Sequence, residues 1–268
     1  MKHIMLIFQS LIFFTYSFSQ IPRVTIITSL YNGDQFIEEF MLNLVSQSIF
    51  KQAEVIIINA NSPDNEEKTI KKYITIYPNI RYIRLYYDPG IYAVWNMAIK
   101  LSQAPFIANA NLDDRRTINS LEKQIALLEQ HPDIDLVYCD YCFTEIPNAP
   151  WFDLHEYLHT DFPEFEPKHL RKAIAGPFPV WRKTAHKKYG YFKEDFVASS
   201  DQEMWCRMAS NGSRFLKAPG ISGLYFRNPK GISSDQEEQK VTIRKNEDWY
   251  ILQTYDHLWA QKGDHENN

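Results

Sequence analysis

Short apolar runs alternate with segments of helical periodicity through the first half of the chain, and this alternation narrows the folds open to it. The run EVIIIN at 54–59 is apolar over most of its length, which is typical of a strand covered by helices on both faces. Similar runs predict strands at 24–28, 80–86, 105–110 and 136–143. Apolar residues at helical spacing between these runs predict helices at 36–45, 65–77, 92–101 and 120–130.

This order of elements predicts the fold class α/β. Parallel strands joined by right-handed helical crossovers give a Rossmann-like, mainly parallel sheet with helices on both faces. Ligands bind such sheets beyond the carboxyl ends of the strands. We therefore expect one polar crevice at that edge, because polar residues follow four of the predicted strands: Thr28 and Tyr31, Asn59 and Asn61, Asp88, and Asp113 with Asp114.

Composition divides the 268 residues into three parts. Residues 1–21 form a hydrophobic leader, which has the character of a secretory signal or a weak membrane anchor. Residues 22–230 are predicted to form the α/β domain. Residues 231–268 are charged and then aromatic, and we expect a C-terminal helical extension at 249–259 and a disordered tail from 263.

The second half of the α/β domain has a weaker pattern. Residues 145–167 carry four prolines and little periodicity, so we expect a long surface loop with a short helix at 154–158. Helices are predicted at 183–189 and 201–211, each followed by a glycine.

Charge and motif content exclude several classes of protein. The net charge of −4 gives no reason to expect a nucleic-acid partner. The three cysteines, Cys139, Cys142 and Cys206, do not form a disulfide framework, and we expect them to be core thiols. No Gly-rich phosphate loop occurs among only nine glycines, which argues against a dinucleotide dehydrogenase or a P-loop enzyme.

Two adjacent acids, Asp113 and Asp114, end the predicted strand at 105–110. Adjacent carboxylates repel each other, so folding alone does not explain them. Mg²⁺ usually rests on one or two carboxylates together with substrate phosphates, and this chemistry fits the pair. The following Arg115 and Arg116 either contact phosphate or are ordinary surface arginines.

Asp201 lies at the predicted N-terminus of the helix at 201–211, and two roles are open to it. Aspartate and serine are favoured helix caps, so Ser199, Ser200 or Asp201 can serve there. The alternative is a general base that points into the crevice. Asp195 and Glu203 are the other candidates for such a base.

Taken together, five segments resemble the family 2 glycosyltransferases of the A-type fold. They are, in chain order, VTIITSLYNGDQFIEEFMLNLVSQ, EVIIINANSPDNEE, DPGIYAVWNMAIKLSQAPFIANANLDD, and GPFPVWRKTAHKKYGYFKE with SSDQEMWCRMASNG. The resemblance runs from about residue 22 to about residue 229. Each motif is common by itself, and their order and spacing make the resemblance specific.

The resemblance implies roles for individual positions. Asp201 is implied as the catalytic base, and Asp114 as the ligand of Mg²⁺ or Mn²⁺. Two positions depart from the family pattern, since Asn59 and Asn111 stand where aspartates are usual. The residues implied to bind the donor are Thr28, Tyr31, Asn59, Asp88 and Asp113, and those implied to shape the acceptor side are Trp181, Arg182 and His186.

The resemblance also implies an activity, namely transfer of a sugar from a nucleotide-diphosphate donor to a hydroxyl acceptor with inversion. The implied acceptor is a glycan or a lipid-linked molecule, in cell-surface polysaccharide or glycoconjugate synthesis, with a peripheral membrane contact. A sugar nucleotidyltransferase and a binding-only relative are the rivals. The leader favours export, whereas nucleotide sugars favour a cytoplasmic or membrane-associated location.

Overall fold

The computed structural model of the protein describes residues 21–152, 154–155 and 157–259. Its strands are β1 (Val24–Leu30), β2 (Ala53–Asn59), β3 (Ile80–Arg84), β4 (Phe106–Asn109), β5 (Arg115–Arg116), β6 (Leu136–Thr144), β7 (Val180–Arg182) and β8 (Phe215–Phe226). Its helices are α1 (Ile37–Val45), α2 (Glu66–Ile76), α3 (Ile91–Leu101), α4 (Ser120–Gln130), α5 (Thr184–Tyr189), α6 (Ser200–Ser210) and α7 (Glu238–Thr254).

The strands form one sheet in the order β3-β2-β1-β4-β7-β6-β8-β5. Strands β3, β2, β1 and β4 are parallel, β7 is antiparallel to both its neighbours, and β6 and β8 are parallel again. The predicted α/β class and mainly parallel sheet are confirmed. From β1 the chain moves outward to β2 and β3 and then returns to β4 on the other side of β1. This reversal opens a crevice between the carboxyl ends of β1 and β4.

Helices cover both faces of the sheet, as the alternation predicts. Successive side chains of a strand point to opposite faces. Ile26 therefore joins the core under α1, α2 and α4, while Ile27 joins the core under α3, α5 and α6. Strand β2 is buried along all seven residues. Each fully buried isoleucine in it contributes about 1.5–3 kcal/mol of transfer free energy.

Three local expectations differ from the structure. Helix α7 begins at Glu238, not near 249. Its first three turns are largely exposed and carry no apolar stripe, so the sequence pattern does not reveal them. Among the described residues of the loop 145–167, no helix forms at 154–158. Strands β5, β7 and β8 were not predicted. The first two are only two and three residues long, and β8 is interrupted by glycines at 220 and 223, so the apolar signal of each is weak.

The three cysteines are free and buried, as expected for core thiols. Burial raises the pKa of the Cys139 thiol to about 11, which keeps it protonated. No helix within the described ranges is long and apolar enough to cross a membrane. The predicted leader, except Ile21, and the predicted disordered tail lie outside the described residues. The division of the chain into three parts stays a prediction.

Candidate active site

The crevice between β1 and β4 is bordered by the loop after β1 and the turn after β4. Gly33 brings the two together, since a Cβ at this position would lie 2.4 Å from Cδ1 of Leu112. Only glycine permits such a close approach of backbone to side chain. The acidic turn 111–114 is thereby held against the first helix connection, at the switch point of the sheet.

Asp113 presents the more open carboxylate of the acidic pair. It is half-buried, and its Oδ2 accepts a hydrogen bond of 2.9 Å from Nδ2 of Asn228, just beyond β8. Its Oδ1 accepts no hydrogen bond from the described part of the chain. Asp113 can therefore receive a ligand from the crevice.

Asp114 points into the protein and is only 5% exposed. Its Oδ1 accepts the backbone N–H of Phe226 at 3.1 Å, and its Oδ2 accepts Nδ2 of Asn111 at 3.0 Å. Burial, and next the charge of Asp113, raises the pKa of this carboxyl well above its usual range. Because both oxygens are occupied, the predicted metal ligand at Asp114 does not agree with the structure, and Asp113 is the better candidate.

The two arginines after the acids are buried, and their guanidinium groups bind acceptors inside the protein. Arg115 and Arg116 are 2% and 5% exposed. Arg115 donates to the carbonyls of Leu112 and Asp114, each at 2.7 Å. Arg116 donates to five acceptors, and burial lowers its pKa to about 10. The two arginines fix the acidic turn, which is a role for them that the sequence analysis did not consider.

Three of the predicted donor-binding positions differ strongly in exposure. Tyr31 is 46% exposed at the rim of the crevice, where it can meet a ligand. Asp88 is exposed in the loop after β3, and its Oδ1 accepts the N–H of Gly90 at 2.9 Å. Thr28 is fully buried in β1, and its role in lining the pocket stays a prediction.

Asn59 is also fully buried at the end of β2. Its Oδ1 accepts the N–H of Ser62 at 2.7 Å, and its Nδ2 donates to the hydroxyl of Tyr82 at 3.1 Å. The side chain is thus satisfied within the protein, and the structure does not support direct contact with a base or ribose. Its effect on the crevice is indirect, through the turn at Ser62.

That turn is organised by Glu66, the first residue of α2. The Oε1 atom of Glu66 accepts the hydroxyl of Ser62 and the N–H of Gly33, each at 2.7 Å. The hydroxyl of Ser62 in turn accepts the N–H of Asn32 at 3.0 Å. These bonds join the loops after β1 and β2 into one wall of the crevice, so the polar residues do converge at this edge.

Asp201 lies in the first turn of α6 and is half-buried. The hydroxyl of Tyr92, in the first turn of α3, donates to Oδ1 of Asp201 at 3.0 Å, and the N–H of Gln202 donates to the same oxygen at 2.9 Å. Helix α3 begins at the carboxyl edge of the sheet, so Asp201 stands at the same edge as Asp113. Burial raises the pKa of the Asp201 carboxyl, and the hydrogen bonds oppose this.

Ser199 is the N-cap residue of α6, as the capping interpretation allows, but no side chain makes a cap hydrogen bond there. The carboxylate of Asp201 accepts both the N–H of Gln202 in the first turn and the hydroxyl of Tyr92 on α3, so its contacts are not confined to its own helix. Of the alternative bases, Glu203 is 1% exposed and bound to Arg207 and Tyr255, which leaves it no access to the crevice.

The predicted acceptor-side residues belong to the core. Trp181 is fully buried, and its Nε1–H donates to Nε2 of His186 at 2.8 Å. Nδ1 of His186 lies 3.2 Å from the carbonyl of Gly190, which fixes the neutral tautomer with the proton on Nδ1. Burial lowers the pKa of His186 to about 4. Both rings are held by internal contacts, and their predicted role on the acceptor side stays a prediction.

Arg182 is likewise structural. Its Nε donates to the carbonyl of Ile134 at 2.7 Å, and its Nη2 donates to the carbonyls of Leu128 and His131 at the end of α4. A cation at a helix C-terminus satisfies carbonyls that have no partner within the helix. Arg182 therefore anchors the end of α4, and its predicted place on the acceptor side stays a prediction.

Two functional candidates were missed by the sequence analysis. Tyr92 stands in the segment GIYAVWN, which was noted only as part of a resemblance, and its position one residue into a helix at the sheet edge was the available signal. Asn228 follows a strand that was not predicted, so nothing in the sequence placed it beside Asp113.

A divalent cation fits this turn only if the phosphates of the donor supply some of its ligands. Among the described residues, no group of three or more His, Cys, Asp or Glu side chains is placed to hold a metal. Mg²⁺, however, takes one or two carboxylates and completes its shell with phosphates and water. The open Oδ1 of Asp113 meets that minimum, whereas the Asn111 side chain is committed to Asp114.

Relatives of the chain are glycosyltransferases. The family model for glycosyl transferase family 2 matches residues 25–190. An uncharacterized glycosyltransferase of Methanocaldococcus jannaschii is 24% identical over 259 residues, which cover 92% of this chain and 83% of that protein.

Solved structures show the same fold. S. aureus TarS 1–349 in complex with UDP-GlcNAc superposes with a TM-score of 0.69 at 18% identity, over 89% of this chain and 70% of that one. The mannosyltransferase PcManGT from Pyrobaculum calidifontis, in complex with GDP-Man and Mn²⁺, gives a TM-score of 0.61 at 15% identity, over 90% of this chain and 73% of that one. The family model covers more than half of the chain, including the crevice and the acidic turn, and the chain therefore belongs to glycosyl transferase family 2.

Proposed function

We propose that this glycosyltransferase moves a sugar from a nucleoside-diphosphate donor to a hydroxyl acceptor with inversion, and that Asp201 is the base. The observation that carries the proposal is the carboxylate of Asp201, which is held on Oδ1 by Tyr92 and Gln202 and stands at the same sheet edge as Asp113. Both hydrogen bonds fall on one oxygen, so Oδ2 is the atom that takes up the proton.

The proposed reaction is a single displacement. The acceptor oxygen attacks the anomeric carbon of the donor sugar while Oδ2 of Asp201 removes its proton. The bond between that carbon and the diphosphate oxygen breaks, and the nucleoside diphosphate leaves with the electron pair. One inversion of the anomeric centre results, and no covalent sugar intermediate forms on the chain.

The donor is proposed to lie in the crevice between β1 and β4. Tyr31, Asp88 and Asp113 are the predicted donor-binding residues that remain accessible. Asp113 is proposed to hold Mg²⁺ or Mn²⁺. When bound, such a cation neutralises the charge of the leaving diphosphate. UDP-GlcNAc in the TarS complex and GDP-Man with Mn²⁺ in the PcManGT complex support this donor class.

The acceptor class remains the one implied by the resemblance, a glycan or lipid-linked hydroxyl in cell-surface polysaccharide or glycoconjugate synthesis. The positions of the predicted acceptor-side residues bear on how the acceptor approaches the base. Trp181, Arg182 and His186 make internal hydrogen bonds or backbone contacts, and the acceptor is proposed to approach Oδ2 of Asp201, the oxygen that neither Tyr92 nor Gln202 occupies.

A donor panel tests the proposal. The full chain is incubated with UDP-GlcNAc, UDP-glucose, UDP-galactose or GDP-mannose, with MnCl₂, with MgCl₂ or with EDTA, and release of the nucleoside diphosphate is measured. We expect slow hydrolysis of one donor that depends on the cation. If a disaccharide acceptor is then glycosylated, the anomeric configuration of the product reports inversion or retention directly.

A binding-only relative of the same fold is the second candidate. Asn59 and Asn111 favour it, because the amides replace carboxylates that are usual in the family and are both committed to internal hydrogen bonds. Titration calorimetry would detect nucleotide binding in either case. Release of the nucleoside diphosphate above the rate without protein separates the two, and its complete absence across the panel would favour the binding protein.

A further inference from the structure

Helix α7 places one carboxylate under the loop that leads into α6. Glu247 and Ile251 are the two buried residues of this otherwise exposed helix. Oε1 of Glu247 accepts the backbone N–H of Val197, and Oε2 accepts the N–H groups of Ala198 and Ser199, each at 2.9 Å. One side chain thus binds three consecutive backbone N–H groups.

This contact takes the place of a local helix cap. Ser199 is the N-cap residue of α6, and no side chain of the loop itself caps the helix. A buried carboxylate is costly unless it is hydrogen-bonded, and three backbone donors meet that requirement. Three consecutive backbone N–H groups can point to one carboxylate in few backbone conformations, so this carboxylate restricts the path of 197–199.

The path of these residues sets the position of the proposed base. Asp201 follows Ser199 by two residues, in the first turn of α6, and its partner Tyr92 belongs to a different helix. A shift of the loop would move the Asp201 carboxylate relative to α3, because α6 begins where the loop ends. Misplacement of a reacting group by about 1 Å can lower a rate by roughly 100-fold.

We propose that Glu247 is a positioning residue for Asp201: by holding the three N–H groups of 197–199 it fixes the first turn of α6. The inference rests on the proposed function of Asp201. It assigns a role to the C-terminal extension, which lies beyond residues 25–190 matched by the family model.

The charged groups around Asp201 also act on the pKa of its carboxyl. Tyr92 on α3 and Glu247 on α7 are the ionisable groups that act on it, and the negative charge of Glu247 raises the pKa of Asp201. The turn 167–172 also packs against α6, through Gln202 and the carbonyl of Leu170, and its Arg171 and Lys172 are exposed to solvent. Removing the charge at 247 should therefore lower the pKa of Asp201.

Two variants of Glu247 and one control test the proposal in the full chain. Glu247→Gln removes the charge and offers only one acceptor oxygen to three donors. Glu247→Asp keeps the charge but shortens the reach. Asp248→Asn is the matched control, because Asp248 is an exposed carboxylate on the same helix, and among the described residues it accepts a hydrogen bond only from the hydroxyl of Ser199.

Amide exchange and kinetics give independent results. In Glu247→Gln we expect hydrogen exchange at 197–199 to be about tenfold faster. For release of the nucleoside diphosphate from the donor that the panel identifies, we expect kcat to fall roughly 10- to 100-fold with unchanged donor Kd. The acid limb of the kcat profile should move to lower pH, because the negative charge that raises the pKa of Asp201 is removed.

The other variants separate position from charge. Glu247→Asp should also lose kcat, but its acid limb should stay at the wild-type pH, and this variant decides the question if Glu247→Gln does not fold. Asp248→Asn should match the wild type in exchange, rate and pH profile. Wild-type kcat and acid limb in Glu247→Gln would overturn the proposal, as would a loss of rate that only follows a loss of folded protein.

Asp201→Asn, measured in parallel, keeps this inference distinct from the proposed function. If Asp201→Asn transfers sugar at the wild-type rate, the assignment of the base is wrong and the inference falls with it. If Asp201→Asn is inactive while Glu247→Gln behaves as the wild type, the base is correct and only the role of Glu247 is wrong.

Discussion

Tyr92 donates its hydroxyl hydrogen bond to Asp201 at 3.0 Å across a sequence separation of 109 residues. The contact ties the first turn of α3 to the first turn of α6 at the ligand-binding edge of the sheet. The ring of Tyr92 is buried against Trp95 and Phe192, so the hydroxyl has a fixed position.

Tyr92→Phe should raise the pKa of Asp201, because the hydroxyl stabilises the ionised carboxylate and the phenyl ring cannot. A base works only when deprotonated, so the acid limb of the kcat profile should move to higher pH. Hydrogen bonds to charged groups are worth about 1.5–3 kcal/mol, and solvent around the half-buried carboxylate reduces this.

A pH series of initial rates for wild type and Tyr92→Phe measures that shift, with circular dichroism as the check on folding. Tyr191→Phe is the control, since Tyr191 is exposed and packs on His186 away from Asp201. An unchanged acid limb in Tyr92→Phe would show that this hydroxyl does not act on the base.

Asp201→Asn should lower transfer by roughly 10²–10⁴-fold, the usual contribution of general base catalysis. The amide keeps an oxygen for Tyr92 but cannot accept a proton at working pH. Thermal stability and nucleotide affinity should stay close to the wild type. Transfer rates and calorimetric nucleotide titrations, run side by side, make the comparison, and full activity would redirect the search for a base to Asp195.

The two acids of the turn should respond differently to substitution. Asp113→Asn should abolish the dependence of nucleotide binding on Mn²⁺ and leave the melting temperature nearly unchanged, because an oxygen remains for Asn228. Asp114→Ala should destabilise the fold, since the N–H of Phe226 and the amide of Asn111 lose their acceptor. Each buried polar group without a partner costs about 1–3 kcal/mol.

Calorimetry with UDP or GDP, in Mn²⁺ and in EDTA, and thermal melts of both variants test these expectations. One combined outcome would assign the cation to Asp114. Asp114→Ala would melt as the wild type does and bind nucleotide equally with and without Mn²⁺, while Asp113→Asn would keep the dependence of binding on Mn²⁺.

His186 should make the fold less stable in acid. Its folded pKa of about 4 lies below the value of about 6.5 expected for the unfolded chain, so the unfolded state binds more protons between these values. Stability from this group is therefore complete above about pH 6.5 and falls as the pH drops towards 4, by about 3 kcal/mol in total.

Urea unfolding of wild type and His186→Gln between pH 4 and pH 7 tests this expectation. Glutamine offers an oxygen to Nε1–H of Trp181 and does not titrate, so its stability should depend less on pH. The Michaelis constant for the acceptor should not change, because residue 186 is buried. Equal pH dependence in both proteins would mean that His186 titrates normally.

Local sequence patterns carried most of the information on the parallel half of the sheet. The runs at 24–28, 54–59 and 80–86 correspond to β1, β2 and β3. The clearest is β2, which is apolar over most of its length because helices cover both of its faces. The helix at 120–130 has the predicted bounds. The antiparallel strand β7 was missed, since three residues are too few to show a period.

The polarity of the crevice was readable from the sequence, but the direction of each side chain was not. Asp113 and Asp114 are identical in type and adjacent, yet only Asp113 faces outward. The strands β5 and β8 and the buried Arg115 decide this, and all of them depend on the antiparallel pairing of Arg115 with Leu224.

The sequence by itself determined the fold class, the acidic turn after the fourth strand and the helix whose first turn holds Asp201, because each follows from interactions between residues close in the chain. Only the tertiary structure decided that Trp181 and His186 belong to the core, that Tyr92 holds Asp201, and that Glu247 binds the loop before it. These contacts join segments that are far apart in sequence, and they form only where packed helices bring a buried donor to a buried acceptor. The sequence pattern around a polar residue does not indicate which distant residue will be its hydrogen-bond partner in the folded protein.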